Sequence, residues 1–345
     1  GESKNARSLK NLFTEGYLKH QNLAEATRYI ANELFGNYGL VVLDGDCKIL
    51  KKQFSPLIKK ELENQTSFKT VSKTIASLKT AYPIQVNPRE INLFYLTDTL
   101  RERIILENGT YKINNTTLQF SKEEIINEVT SHPERFSPNV IMRPLYEEVV
   151  LPNLCYIGGG GELAYWLQLK HYFEEVNIPF PILLLRNSVQ IITTKQQKKL
   201  DALTISTEEL FLKQSELLSK KITETSDITI NFSEKRAFLQ QHFNDLKIIA
   251  EKTDASFLGA VNAQEVKQLK GIDTLEKRLL RAEKRKHRDL VDRITHIQNQ
   301  LLPNQSLEER QRNFSEFYLE YGVSFLDNLI NTLKPLELKF LVLEM

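Results

Sequence analysis

Four consecutive glycines, Gly158, Gly159, Gly160 and Gly161, separate an apolar run from a helix-like segment that opens on Glu162. A strand, a glycine loop and a helix N-terminus in this order often hold a phosphate, because free backbone N–H groups and the helix dipole favour an anion. Each glycine also costs chain entropy. The run therefore predicts a close approach of the backbone to a ligand or to another strand, and the four glycines are candidate cofactor-binding residues.

Neither standard phosphate motif is complete around these glycines. The dinucleotide fingerprint needs a third glycine where Leu163 stands, and an acidic residue at the end of the second strand, which here ends in Arg186 and Asn187. A P-loop needs Lys followed by Ser or Thr after its glycines, whereas this chain has Glu162 and Leu163.

Glu162 suits a cation better than a phosphate, because its carboxylate would repel an anion bound at the same amides. Tyr165 and Trp166 follow three and four positions later, on the same helix face. A carboxylate beside two aromatic rings is a plausible amine site, with Glu162 and Tyr165 as catalytic candidates and Trp166 as a substrate contact. In the alternative interpretation, Glu162 only starts the helix, and Tyr165 and Trp166 belong to the core.

The segment that precedes the glycines, FSPNVIMRPLYEEVVLP, carries Asn139, Arg143 and Tyr146 in an otherwise apolar run. A buried arginine needs an anionic partner. For Arg143 the partner is either a neighbouring glutamate, Glu147 or Glu148, or a carboxylate or phosphate of the substrate. We take all three residues as substrate-binding candidates.

Arg186 ends the second apolar run, PFPILLLR. Ligands bind at the carboxyl ends of parallel strands, so Arg186 is a further candidate for binding an anion of the substrate. It could equally cap the C-terminus of a helix.

Other possible sites have weaker support. The six histidines show no metal-ligand spacing, and we predict no metal site. Residues 276–293 are strongly basic and could contact nucleic acid, but they also carry acidic residues and no aromatic residue. A solvated coiled-coil face is the favoured interpretation of this stretch.

Length and composition bound the class of protein. The 345 residues, 41% of them hydrophobic, suffice for two structural units, and a net charge of +2 indicates no class of partner. The cysteines, Cys47 and Cys155, fit a reducing compartment. No apolar run approaches the ~20 residues of a membrane span, and no signal peptide is visible. We therefore expect a cytoplasmic protein without a membrane partner.

Hydrophobic spacing predicts the elements before the glycine loop. A first helix carries Leu23, Ala26, Ile30 and Leu34, a strand lies in GLVVLDGD, and two helices lie around residues 57–62 and 71–78. INLFYL reads as a buried strand, and Asn108 with Gly109 predicts a hairpin turn with both residues at positive φ. Ser121 and Glu124 form a capping box before another helix.

Residues 153–185 form one βαβ unit, which implies a parallel strand pair with a right-handed crossover. After about Lys195, helical patterns dominate, starting from a second capping box, Ser206 and Glu209. Two stretches with apolar spacings of four and three, residues 239–250 and 272–282, suggest an antiparallel coiled-coil arm, whose pattern breaks at Lys286. Ser306 and Glu309 predict the start of a last helix, and LELKFLVLEM predicts a terminal strand.

The predicted fold class is α/β, with a parallel strand pair in its core and an antiparallel α-helical coiled-coil arm. The expected domains are residues 1–195 for the core with its connecting segments, and 196–304 for the arm. Residues 305–345 are expected to return to the core as a helix and a strand.

Several of these segments resemble one family, the cysteine ligases of bacillithiol biosynthesis. SPNVIMRPLYEEVVLPNLCYIGGGGELAYWLQLK is similar to its most recognisable block, and NYGLVVLDGD, NPREINLFYL, PILLLRNS and SLEERQRNFSEFYLEYG follow the same order. The resemblance implies a cytosolic enzyme with a partial Rossmann-like parallel-sheet core and an inserted antiparallel α-helical coiled-coil arm that can form a homodimer. The implied reaction joins cysteine to glucosaminyl-malate by an amide bond. ATP or ADP is a candidate cofactor.

Members of that family are longer at the N-terminus, where they carry a synthetase-like motif that nothing in residues 1–345 matches. Because the chain also lacks an initial Met, we expect it to be the C-terminal portion of such a ligase, with little activity alone. Two other hypotheses stay open: a non-catalytic dimerisation module, and a helical arm that contacts RNA.

Overall fold

A computed structural model describes residues 2–78 and 81–345 of the chain. The Cα positions divide into two compact units. Unit 1 comprises Gly1–Asn187 and Ser315–Leu338, and unit 2 comprises Ser188–Phe314 and Lys339–Met345. No helix in the described ranges has both the length and the apolar composition that crossing a bilayer requires.

Helices make up most of both units. In chain order they are α1 (Lys4–Lys19), α2 (Leu23–Phe35), α3 (Lys48–Asn64), α4 (Thr66–Leu78), α5 (Lys122–Ser131), α6 (Arg143–Val150), α7 (Gly160–Leu167), α8 (Lys170–Glu175), α9 (Thr194–Ala202), α10 (Thr207–Leu210), α11 (Gln214–Thr225), α12 (Ser233–Ala250), α13 (Ala255–Lys286), α14 (Arg288–Leu301), α15 (Ser315–Tyr321) and α16 (Val323–Thr332).

The strands form three separate sheets. They are β1 (Leu93–Thr97), β2 (Leu100–Glu107), β3 (Thr110–Ile113), β4 (Gln119–Phe120), β5 (Phe136–Pro138), β6 (Cys155–Gly158), β7 (Ile182–Leu185), β8 (Ser188–Ile192) and β9 (Phe340–Glu344). The first five form an antiparallel sheet in the order β4-β3-β2-β1-β5, whereas β6 pairs with β7 and β8 with β9 in parallel.

The antiparallel sheet and helix α3 enclose the main core of unit 1. Phe54, Ile58 and Leu62 recur every four residues on one face of α3, and all three are buried in the same cluster as Leu93 and Ile104 of the sheet. The hairpin between β2 and β3 turns at Asn108 (φ 50°) and Gly109 (φ 78°), as predicted. This sheet supplies one wall of the pocket described below.

The predicted βαβ unit is confirmed. Strands β6 and β7 run parallel, with Gly158 opposite Leu185, and α7 and α8 form the crossover. The pair has no third strand among the described residues. Apolar side chains on it stay exposed, including Ile157 (54%) and Ile182 (70%), and so does Leu154 (91%) just before β6.

Unit 2 contains the helical arm. Helices α12 and α13 pack against each other around Phe243, Ala250 and Val261. The buried part of this contact lies at the beginning of α13, and Arg236 of α12 also pairs with Asp273, at the start of the predicted stretch of residues 272–282. Leu275, within that stretch, is 57% exposed. The predicted break at Lys286 is confirmed, since α13 ends there.

Three predictions about elements were wrong. GLVVLDGD forms no strand, because no strand of the described chain lies beside it to complete a ladder; only its turn at Asp44 and Gly45 is present. Ser306 starts no α-helix, since Glu308–Arg310 is a single 3₁₀ turn and the helix begins at Ser315. The last strand, β9, pairs with β8 inside unit 2 and does not return to unit 1.

Candidate functional site

The glycine loop lies at the carboxyl end of the parallel strand pair. Strand β6 ends at Gly158, Gly159 caps α7, and the N–H of Arg186 donates to the Gly158 carbonyl oxygen over 2.9 Å. Arg186, whose side chain is half-buried, therefore follows directly from the second strand end, as predicted.

The glycines serve different purposes along the loop. A Cβ at Gly158 would stand 2.7 Å from Cε1 of Tyr156 and 3.2 Å from Cδ2 of Leu163, so packing alone requires glycine there. A Cβ at Gly160 or Gly161 would meet no atom within 4 Å. The backbone at these two positions faces open space, and a ligand could approach it.

Glu162 caps the helix that it starts. Its Oε2 accepts a hydrogen bond of 2.7 Å from the Gly159 N–H, and the residue is exposed. This contact supports the helix-start interpretation that the sequence left open. The amine-binding role of Glu162 stays a prediction.

Trp166 does not face a ligand site. Its side chain is 0% exposed, stacks on Tyr156 with ring centroids 4.1 Å apart, and contacts Phe173 and Phe180. The substrate contact predicted for Trp166 is therefore wrong, because the indole has no free surface to offer.

Arg143 connects the glycine-loop helix to α6. Its Nη2 donates to the Tyr165 hydroxyl over 2.6 Å, and its Nη1 contacts Oε2 of Glu147 at 2.9 Å. Tyr156 also acts on the pKa of Arg143. Burial alone would lower the pKa of Arg143, but these partners outweigh it and raise that pKa. The structure thus joins the predicted residues Arg143 and Tyr165, with Glu147 as the acidic partner.

Burial raises the pKa of Glu147, and Arg143 opposes this shift. The negative charges of Glu148 and Glu162 raise the pKa of Glu147 further. The other candidate partner of Arg143, Glu148, instead accepts two hydrogen bonds of 2.9 Å from Asn153.

Asn139 is held by the protein itself. Its Oδ1 accepts from the Ile141 N–H at 2.9 Å, and its Nδ2 donates to Oδ1 of the buried Asn92 at 2.8 Å. Both ends of the amide are therefore occupied, which assigns Asn139 to the structure of the turn before α6 rather than to substrate binding.

A pocket of about 580 Å³ opens beside Arg143, entirely within unit 1. Its polar lining comes from several elements: the turn before α3, α3 itself, β2, β5 and α6. These polar lining residues are Asp46, Lys51, Arg101, Ser137, Arg143, Tyr146 and Glu147. Leu43, Leu50, Pro138, Val150 and Leu151 form the apolar wall.

Tyr146 lines this pocket, and its predicted role in substrate binding stays a prediction. Its hydroxyl donates to the Gly45 carbonyl oxygen over 2.7 Å and so ties α6 to the turn before α3. Burial and the nearby acidic groups raise the pKa of Tyr146 to about 12, so the phenol stays protonated at neutral pH.

Sequence reasoning missed two cations of the pocket. Lys51 is 3% exposed, pairs with Asp46 and donates to the Glu134 carbonyl oxygen over 2.8 Å. A signal existed, because Lys51 occupies the apolar stripe of α3 three residues before Phe54. Arg101 on β2 gave no such signal.

The pocket does not include the glycines, Glu162, Trp166 or Arg186. Arg143 belongs to both regions, since it lines the pocket and binds Tyr165 of α7. Within the described ranges, no three His, Cys, Asp or Glu side chains gather as a metal site would need.

Comparison with known proteins covers the whole chain. Residues 1–187 match the model of the N-terminal Rossmann-like domain of bacillithiol biosynthesis BshC, and residues 189–345 match its C-terminal coiled-coil domain. The fold class predicted from the sequence agrees with both.

Similar proteins named as cysteine ligase BshC occur in several bacteria. The chain is 56% identical to those of Christiangramia forsetii and Flavobacterium johnsoniae over 99% of its length, and 39% identical to that of Cytophaga hutchinsonii over 93%. It spans 64%, 64% and 62% of these relatives' lengths. On the match of both domains and these identities, the chain belongs to the BshC family.

Proposed function

We propose that the chain forms part of a ligase that joins cysteine to glucosaminyl-malate through an amide bond. Membership of the BshC family supports the cysteine-ligase class, and the names of the relatives agree with it. The observation that carries the proposal is the 580 Å³ pocket, in whose wall Arg143 binds both Glu147 and Tyr165.

Amide formation needs an acyl-activated cysteine and a free amine. The amine nitrogen attacks the acyl carbon, and a C–N bond forms. The bond from that carbon to its leaving group breaks, and the leaving group keeps the electron pair. One proton must leave the nitrogen, so a carboxylate near the amine assists the step.

Glu147 is the carboxylate best suited to accept this proton. It lines the pocket with 30% of its side chain exposed, and its raised pKa brings it closer to the working range of a general base. Glu162, the base expected from the sequence, uses one oxygen to cap α7. Tyr165 orients the Arg143 guanidinium in this proposal.

A ligation assay with the whole enzyme tests these roles, with the amide product measured by mass spectrometry. Glu147→Gln should lower kcat by about 100-fold or more, as expected when a general base is lost. Glu162→Gln, which can still cap the helix, should change kcat by less than about tenfold. A larger loss of kcat in Glu162→Gln than in Glu147→Gln would return the catalytic role to Glu162. If neither the unchanged enzyme nor any variant forms the amide product, the proposed reaction is wrong.

The glycine loop fits a nucleotide in shape but not in charge. The open backbone at Gly160 and Gly161 could face phosphate oxygens, whereas the Glu162 carboxylate occupies the Gly159 N–H and repels an anion. No step above depends on a nucleotide. ATP or ADP as a cofactor remains a proposal, which calorimetric titration of both nucleotides into the whole enzyme would test.

Exposed apolar residues on β6 and β7 support the proposal that the chain works within a longer protein. Parallel sheets are normally covered on both faces, yet Ile157 (54%) on β6 and Ile182 on β7 are exposed, and so is Leu154 just before β6. We propose that further strands, in the part of the relatives' length that this chain does not span, cover this pair. Protection of β6 amides from hydrogen exchange in the whole enzyme, but not in this chain, would support it.

A homodimer through the coiled coil is the corresponding proposal for unit 2. Phe238 (78%), Ile248 (57%) and Ile249 (56%) on α12 are exposed, and so is Val266 (51%) on α13. Burial of such residues drives association. Sedimentation of Phe238→Asp against the unchanged chain tests it, and a dimer that survives the substitution would exclude this face. Tight dimerisation without ligand binding would favour the non-catalytic module instead.

A further inference from the structure

Resting on the proposed function, we infer that Arg101 binds a malate carboxylate of the acceptor substrate, in the pocket that also holds Glu147. Arg101 lies near the start of β2, opposite Leu96 of β1 in the hairpin. Its Cζ lies 3.9 Å from the centroid of the Phe94 ring. This stacking orients the planar guanidinium on a rigid strand pair.

The charges of the pocket lining balance except at Arg101. Lys51 pairs with Asp46, and Arg143 pairs with Glu147. Across residues 2–78 and 81–345, no carboxylate lies within 4 Å of the Arg101 guanidinium. The lining thus carries three cations and two anions, and the unbalanced positive charge belongs to an arginine that can bind a carboxylate in bidentate fashion.

The charge of the pocket selects between the two substrates of the proposed reaction. Cysteine is a zwitterion with no net charge at neutral pH, whereas glucosaminyl-malate combines two carboxylates with one ammonium group. The net charge of −1 on the acceptor complements the net charge of +1 on the lining.

The size of the pocket agrees with this choice. A volume of about 580 Å³ lies within the range of sites that enclose ligands larger than a single amino acid. With the malate end at Arg101, the amino sugar would extend along the same pocket, where Glu147 can accept a proton from the amine. Arg101 is thus a specificity-determining residue, and it takes no part in bond formation.

Isothermal titration of the 345-residue chain with L-malate, glucosaminyl-malate and cysteine tests the assignment. Arg101→Ala should raise the Kd of L-malate and of glucosaminyl-malate by about 10- to 100-fold, which is the loss of affinity expected when charged hydrogen bonds are removed. Arg101→Lys should give a Kd between those of the unchanged chain and Arg101→Ala, because lysine keeps the positive charge but cannot bind a carboxylate in bidentate fashion.

Arg103→Ala is the matched control. Arg103 lies two residues further along β2 and lines a separate pocket of about 190 Å³. Its removal deletes the same charge from the same strand, so the Kd of L-malate should change by less than about threefold, since a charge outside the pocket is screened.

Each other outcome overturns the inference. Equal binding of L-malate to the unchanged chain and to Arg101→Ala would remove the role of Arg101. Cysteine binding that depends on Arg101, without malate binding, would assign the pocket to the other substrate and leave the ligase proposal intact. No binding of any of the three compounds would remove the pocket as a substrate site, whereas the ligation assay with the whole enzyme judges the reaction separately.

Discussion

The glycine loop and the pocket beside Arg143 lie in the same unit, but they use their polar groups differently. In the loop, the one acidic side chain caps its own helix and the one tryptophan is core. In the pocket, side chains from five separate elements face a common space, and an arginine without an acidic partner is among them. A conspicuous sequence motif can thus be largely architectural, while a pocket forms from residues that no local pattern connects.

The largest expected effect tests whether Trp166, beside the glycine loop, is a core residue. Trp166→Ala removes a fully buried ring from the core and should lower the free energy of unfolding by about 3–5 kcal/mol. Urea denaturation measures the loss. The neighbouring Leu167→Ala, at a position 59% exposed, should change it by less than about 1 kcal/mol. Similar losses in both variants would contradict the buried position of Trp166.

Alanine substitutions at two glycines separate packing from ligand access. Gly158→Ala should destabilise the chain by about 1–3 kcal/mol, because its Cβ would overlap the Tyr156 ring. Gly160→Ala adds a methyl group in open space at the start of α7 and should be neutral or stabilising by up to about 1 kcal/mol. Thermal denaturation of both variants measures the difference. Equal effects would mean that the loop packs more uniformly than described.

Loss of the Glu162 cap should have a smaller effect. Glu162→Ala removes the acceptor of the Gly159 N–H and should lower the free energy of unfolding by about 0.5–1 kcal/mol, without weakening L-malate binding in the pocket. Denaturation and titration of the same variant measure both quantities. A large loss of malate affinity would join Glu162 to the pocket and narrow the contrast between the two regions.

The smallest expected effect is the contribution of Glu147 to the pH dependence of stability. Its pKa is raised in the folded state above the ordinary value of 4.5, so its contribution to stability falls as pH rises from 4.5 through the folded pKa. Glu147→Gln should flatten the melting temperature profile over that range.

The pKa of Glu124, in the capping box of α5, is shifted in the opposite direction to that of Glu147. Hydrogen bonds from Ser121 lower the pKa of Glu124, so its contribution is lost as pH falls below 4.5. Glu124→Gln should therefore alter only the acid side of the profile. A change on the same side in both variants would contradict the environments described for the two carboxyl groups.

Much of the fold was predictable, because local patterns specify local structure. The hairpin at Asn108 and Gly109, the capping box at Ser121 and the parallel pair β6–β7 all follow from turn chemistry and periodicity. The strand expected in GLVVLDGD failed for a non-local reason, since apolar residues become a strand only beside a partner. Ser306 failed similarly, because a capping pattern does not guarantee a helix.

The site was less predictable than the fold. Arg143 and Tyr146 could be selected, because polar residues in an apolar run need partners. Lys51 was also within reach, as a lysine on the buried stripe of α3. Arg101 could not be selected, because its proposed role depends on the absence of a nearby carboxylate in the folded structure. The residue pattern along β2 does not predict that absence.

The absence of a side chain at Gly158 has a consequence beyond the loop. That empty space lets the Tyr156 ring stack on Trp166, and Tyr156 in turn influences the pKa of Arg143 at the pocket wall. One aromatic ring therefore belongs to the surroundings of both regions. A methyl group added at Gly158 should shift that ring and, with it, the surroundings of Arg143, where the substrate is proposed to bind.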